Sequence, residues 1–143
     1  MDMRQITPGF FAAPQISPDD LPDIAAAGIK LVLCNRPDTE IPPSHQSDAI
    51  SQAAAAAGLE FAVRPLTHQT MTPDVIADNR ALIDGCDGPV LAYCASGTRS
   101  TIAWALSAAG DLTADEIIEA ARNGGYDLEN LRQTFNAIAS AKG

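Results

Sequence analysis

The segment Cys94-Ala95-Ser96-Gly97-Thr98-Arg99 gathers the residue types that a thiolate nucleophile needs. The thiolate attacks, not the thiol, and nearby cations or a helix N-terminus favour that form. Gly97 lets the chain turn tightly, so that consecutive backbone N–H groups can point at one centre. A helix expected from about Ser100 adds positive potential at that centre. Arg99 supplies a forked donor that is always charged. Cys94 and Arg99 are therefore the expected catalytic pair, and Ala95, Ser96, Gly97, Thr98 and Ser100 the expected lining of an anion site. Cysteine is often simply buried at a strand end, but that role does not call for glycine and arginine at these spacings.

Such a loop needs a strand behind it and a helix ahead of it. Pro89-Val90-Leu91-Ala92-Tyr93 reads as a buried strand that delivers Cys94 to a sheet edge, where ligands bind in open parallel sheets. Upstream, one pattern recurs: a helix-compatible stretch, a glycine, then a short apolar run. Ser17-Pro18-Asp19-Asp20 opens a helix that ends at Gly28 before the strand Ile29–Cys34. A helix over about Ser47 to Ala57 closes at Gly58 before the strand Glu60–Val63, and a third starts at Thr72-Pro73-Asp74 and stops at Gly85. Phe10-Phe11-Ala12 is expected as an edge strand. Beyond Arg99 the pattern is helical: Ser100 to Ala109, a capping box at Thr113-Ala114-Asp115-Glu116, and a last helix from Leu128 to Ala139. The reading is α/β, a mostly parallel sheet of four to five strands flanked by helices, in one domain over residues 1–143.

Composition narrows the partners. The 143 residues are 46% hydrophobic and 19% charged, which is globular, and the net charge of −9 argues against nucleic acid or an anionic membrane as partner. The start, Met1-Asp2-Met3-Arg4, lacks the apolar run of a signal peptide, and no stretch is long enough to span a bilayer. Cys34, Cys86 and Cys94 are odd in number and lack C-x-x-C spacing, which suggests free thiols in a reducing cytoplasm. His45 and His68 have no partner at ligand spacing, so neither a metal nor a cofactor is expected.

Tyr93 through Ser100, together with Asn35-Arg36-Pro37-Asp38, resembles the phosphatase-like domain of the beta-lactamase-hydrolase-like proteins, over nearly the whole chain from Phe10 to about Ala139. The resemblance implies the fold of the cysteine-dependent, dual-specificity-like phosphatases. It also implies a partner in some members, a metallo-β-lactamase-like persulfide dioxygenase, beside which the domain acts as a sulfurtransferase. Fold alone therefore leaves two chemistries open.

Loop length is the discriminating feature. Only four residues separate Cys94 from Arg99, whereas cysteine phosphatases carry one more. The shorter loop resembles that of rhodanese-type sulfurtransferases, and a narrower ring of N–H donors suits a compact sulfur anion. Those phosphatases also place an aspartate upstream as general acid, where this chain reads Arg64-Pro65-Leu66-Thr67-His68. Asp38 is the candidate to replace it, because its loop opens on the same sheet edge. A sulfur donor such as thiosulfate needs little acid help. Ser100 argues the other way, since it stands where phosphatases keep a hydroxyl that eases departure of the thiolate.

The balance favours sulfane-sulfur transfer through a Cys94 persulfide. The alternatives are a phosphatase working through phosphocysteine and a non-catalytic anion- or persulfide-binding module. The substrate is then a small anionic sulfur donor or a phosphoester. Arg36 and His68 are assigned to the pocket, with Arg36 and Asp38 expected as an ion pair and a surface role the plainer reading of His68. Cys34 is expected in the core, or else facing the same edge as Cys94. Trp104 is expected in the core, and Gly124-Gly125-Tyr126 reads as a helix break.

Overall fold

The computed structural model describes residues 2–142. Within these residues five strands, β1 (Arg4–Thr7), β2 (Phe10–Ala13), β3 (Leu31–Cys34), β4 (Glu60–Val63) and β5 (Val90–Tyr93), form one sheet in the order β1-β2-β5-β3-β4. The β2, β5, β3 and β4 ladder is parallel and β1 runs antiparallel to β2. The same residues hold six α-helices around the sheet: α1 (Leu21–Ala26), α2 (Ser47–Ala56), α3 (Pro73–Asp84), α4 (Thr98–Ala108), α5 (Ala114–Asn123) and α6 (Arg132–Lys142).

β5 is flanked by β2 and β3, and all of its residues are buried. Successive side chains of a strand point to opposite faces. Val90 and Ala92 accordingly join Trp104, Ala105, Ile117 and Phe135 on the face covered by α4, α5 and α6. Leu91 and Tyr93 join Leu21, Ile24 and Ile50 on the face covered by α1 and α2. Apolar burial on both faces explains why the strand reads as an uninterrupted hydrophobic run. Trp104 is a core residue, its ring stacked on Phe10 at 5.9 Å between centroids.

The glycine-ended helices behave as their sequences suggest. Gly28 and Gly58 take φ of +94° and +78° just past α1 and α2, a conformation that costs an L side chain roughly 1–2 kcal/mol. Thr72 caps α3 by accepting from the Val75 N–H, and the Thr113–Glu116 box is closed in both directions.

Three expectations need correction. Phe10–Ala13 is not an edge strand: β1 lies outside it, and the Pro8-Gly9 turn folds the pair into a hairpin. The edge positions belong to β1 and to β4, whose half-exposed pattern suits an edge. The helix after the cysteine loop begins at Thr98 rather than Ser100, so Arg99 sits inside its first turn. The last helix begins at Arg132, after a separate 3-10 turn over Glu129–Leu131.

Candidate active site

Cys94 leaves the carboxyl end of β5 fully buried, with its N–H donated to the Ala13 carbonyl of β2. The chain then turns back into α4 through Gly97, whose φ is +93°. The orientation of the turn is set by its carbonyls. The Ala95 carbonyl accepts from the Gln15 N–H at 3.3 Å and the Ser96 carbonyl from the Tyr126 hydroxyl at 2.9 Å. The Gly97 carbonyl accepts from the Thr101 N–H and hydroxyl at 3.0 and 2.8 Å. In a planar trans peptide the N–H points opposite the carbonyl, so tying the Ala95 and Ser96 carbonyls back to Gln15 and Tyr126 turns the N–H groups of Ser96 and Gly97 toward the site. One of them is seen on target: the Gly97 N–H donates to Cys94 Sγ at 3.1 Å. Ser96 and Thr98 brace the turn further, the Ser96 hydroxyl donating to Thr98 Oγ1 at 2.9 Å and accepting from the Thr98 N–H at 3.3 Å.

Arg99 is largely buried and faces Glu40. Its Nη1 and Nη2 donate to the two carboxylate oxygens at 2.9 and 2.8 Å, and Nη1 also donates to the Leu66 carbonyl at 2.9 Å. The paired Glu40 carboxylate holds the guanidinium more firmly charged than usual, and the proximity of Cys94 acts in the same direction. In return Arg99, and after it Arg36, holds the Glu40 carboxyl below its ordinary range.

The expected ion pair between Arg36 and Asp38 does not form. Arg36 donates through Nε to Glu40 Oε1 at 3.3 Å, through Nη2 to the Glu40 carbonyl at 3.0 Å and through Nη1 to Gln15 Oε1 at 3.2 Å. Asp38 instead receives the N–H and hydroxyl of Ser47, both at 2.8 Å, and so caps the start of α2. A free helix N–H is an ordinary target for a carboxylate. Ser100 enters a contact of its own. It is buried and its hydroxyl donates to Asn35 Oδ1 at 2.9 Å. Asn35 in turn donates to the Arg64 carbonyl and to Asn79 Oδ1 at 2.9 and 3.0 Å, and Asn79 donates to the Val75 carbonyl at 3.1 Å. The loop after β3, the first turn of α4 and the middle of α3 are thereby joined by one buried polar network.

His68 is exposed, two residues past the Leu66 carbonyl that receives Arg99. Arg64 pairs with Asp78 of α3 at 2.6 Å, on the surface. Cys34 is buried, its Sγ donating to the Arg36 carbonyl at 3.4 Å, as a core cysteine should be. Among the described residues no three His, Cys, Asp or Glu side chains are grouped to hold a metal ion, and no helix is long and apolar enough to cross a membrane.

Three residues at the site, Gln15, Glu40 and Tyr126, escaped the sequence reading. Glu40 lies two positions past a stretch already singled out, and an acid four positions after Arg36 was the available signal. Tyr126 follows a double glycine after α5 and carries no local mark of a contact with Ser96, thirty positions away in the chain.

The strand order, and a cysteine turned into a helix N-terminus from the innermost parallel strand, place this fold in the class of phosphatase-like α/β domains. PTPMT1 shares it with a TM-score of 0.71 at 16% identity, over 99% of each chain. Within that class the chain belongs to the phosphatase-like domain family of the beta-lactamase hydrolase-like proteins, whose family model matches residues 2–111. A beta-lactamase hydrolase-like protein of Agrobacterium fabrum is 31% identical over 111 residues, which are 76% of this chain and 26% of that protein. A phosphatase candidate of Neisseria meningitidis with a known crystal structure is 34% identical, with a TM-score of 0.84 over 96% of this chain and 99% of that one. The chain spans about a quarter of the length of the curated relatives it matches.

Proposed function

We propose that this chain is a cysteine-dependent phosphatase whose nucleophile is Cys94. The observation that carries this reading is the loop itself, with its carbonyls tied outward and the Gly97 N–H on Cys94 Sγ, on the scaffold of a phosphatase candidate 34% identical to it. The Cys94 thiolate attacks phosphorus, the ester P–O bond breaks, and the departing oxygen takes a proton. Water then attacks the phosphocysteine, the S–P bond breaks, and inorganic phosphate leaves. The loop N–H groups and Arg99 stabilise charge on the equatorial oxygens in both steps. Asp38 is engaged by Ser47, so this reading favours esters whose leaving group needs little acid help, such as aryl phosphates.

Sulfur transfer is the second reading, and the four-residue spacing from Cys94 to Arg99 is what favours it. Cys94 would take the sulfane sulfur of thiosulfate, release sulfite, and pass the sulfur from its persulfide to an acceptor thiol. A persulfide dioxygenase as partner belongs to this reading alone. The family and fold comparisons lean toward the phosphatase and give sulfur transfer no support.

Steady-state phosphate release from an aryl phosphate tests the proposal. Wild type should turn over and Cys94→Ser should not, with Arg99→Lys slowed at least about tenfold because the fork is lost. Equal phosphate release by Cys94→Ser would remove Cys94 from the mechanism. No phosphate release from wild type, with thiosulfate consumed instead, would move the assignment to sulfur transfer.

A further inference from the structure

The helix break Gly124-Gly125-Tyr126, after α5, carries a side chain back to the cysteine loop. The Tyr126 N–H donates to the Ala121 carbonyl and the Gly125 N–H to the Arg122 carbonyl, both at 2.9 Å, with Gly125 at φ +91°. That is a Schellman turn, and it fixes the backbone of Tyr126 to the end of α5. The ring is fixed as well. It is buried, the Arg4 guanidinium of β1 lies over it at 5.1 Å from the centroid, and Asp2 pairs with Arg4 at 3.0 Å. The hydroxyl is thereby brought to 2.9 Å from the Ser96 carbonyl, and among the described residues no second donor reaches that oxygen. Burial pushes the Tyr126 pKa up, so the hydroxyl keeps the proton it donates.

The Ser96–Gly97 peptide is hydrogen-bonded on both sides. Its carbonyl accepts from Tyr126, and its N–H donates to Cys94 Sγ at 3.1 Å. The two groups of a planar peptide point in opposite directions, so the hydroxyl on one side decides that the N–H lies on the other. Glycine leaves the alternative open. Gly97 tolerates φ of either sign, and turning this peptide over would carry it from +93° to a negative φ, as between type II and type I turns. The carbonyl oxygen would then face Cys94 and repel a thiolate. A hydroxyl held on the Ser96 carbonyl opposes that arrangement, because the turned peptide gives it nothing to donate to and leaves it buried without a partner.

We infer that Tyr126 is a positioning residue: its hydroxyl, by holding the Ser96 carbonyl, keeps the Ser96–Gly97 peptide turned so that the Gly97 N–H stays on Cys94 Sγ and stabilises the thiolate. The family model matches residues 2–111, so the contact is supplied from outside the matched span. The inference rests on Cys94 working as a thiolate, which the phosphoester and sulfur readings share. It does not depend on which of those reactions follows.

The test is the thiolate-to-thiol ratio at Cys94, read by titrating the ultraviolet absorbance of the thiolate with pH and subtracting the Cys94→Ser form of each variant. It needs no turnover. Tyr126→Phe removes the hydroxyl and keeps the ring under Arg4. It should lower the ratio about three- to tenfold, the size of one ordinary hydrogen bond. The same direction is expected of Gly125→Ala, which strains the turn that presents the hydroxyl and decides the result if Tyr126→Phe does not fold. Ile6→Val trims a buried side chain that lies against Gly124, so it should lower the melting temperature and leave the ratio as in wild type. An unchanged or higher ratio in Tyr126→Phe, or an equal fall in Ile6→Val, would overturn the inference. It also falls if wild type shows no absorbance step that Cys94→Ser removes, because then no thiolate forms for the N–H to hold. A wild type that releases no phosphate while the ratio responds as stated would sink the phosphatase reading and leave this one standing.

Discussion

Gly97 answers two demands at once. Its φ of +93° is strained for any L side chain, and a Cβ there would collide with the Tyr126 hydroxyl oxygen and lie 3.3 Å from the Ala13 carbonyl carbon. Gly97→Ala should cost ~2 kcal/mol or more in stability, and should abolish phosphate release because the N–H aimed at Cys94 must shift; urea titration and steady-state rates check both. Asp38 separates two accounts of the same carboxylate. If it caps α2, Asp38→Asn costs ~1 kcal/mol and leaves kcat nearly unchanged. If it were the general acid, kcat on a poorly activated alkyl ester would fall by ~10²–10⁴. The Ser47 contacts predict the first outcome. Glu40 carries a pH signature. Arg99 and Arg36 face its carboxylate and lower its pKa, so the stability it adds is fully present above the unfolded carboxylate range of about 4.3 and is lost as pH falls through the lower folded value. The melting-temperature difference between wild type and Glu40→Gln should therefore stay constant from about pH 8 to about pH 5 and close only below pH ~4. A difference that closes between about pH 7 and about pH 5 would contradict the pairing.

Between elements, the buried network around Asn35 ties three segments that the sequence presents far apart. Asn35→Ala leaves Ser100, the Arg64 carbonyl and Asn79 short of a partner, and should cost ~3 kcal/mol; differential scanning calorimetry against wild type measures it, and a loss under ~1 kcal/mol would mean that water replaces the side chain. This network was not legible in the sequence, for a physical reason. Strands and helices announce themselves through local period and end signals, which is why β3, β4, β5 and the C-terminal ends of α1 to α3 could be read to within a residue or two, whereas Pro18–Asp20 forms a separate 3-10 turn before α1. A cross-connection such as Ser100 to Asn35 depends on which strands become neighbours, and nothing within either segment states that. β1 escaped for a related reason: Arg4–Thr7 has only Ile6 fully buried, so four residues without a clear alternation gave no strand signal until paired with β2. The cysteine loop was legible as a strand-to-helix turn because a cysteine, a turn glycine and an arginine are local to it. Its orienting partners, Gln15, Tyr126 and Glu40, come from three other parts of the chain.

At the scale of the molecule, loop length and family membership pointed to different reactions. The four-residue spacing is a local cue and suits a small anion; the family and the 34% identical phosphatase candidate are cues spread over most of the chain. The wider cues carry more weight because they constrain the position of every group around Cys94, whereas one residue in a loop changes only the ring's diameter. A body of net charge −9 holds this site, so the proposed anionic substrate would have to be drawn by Arg99, Arg36 and the loop N–H groups rather than by the overall field. The most direct test is the intact mass of wild type and Cys94→Ser, acid-quenched during turnover of an aryl phosphate and, in parallel, after thiosulfate. A phosphoryl adduct on wild type alone is the expected result. No phosphoryl adduct, with one sulfur atom gained by wild type and removed by cyanide, would contradict the phosphatase assignment and establish sulfur transfer at Cys94.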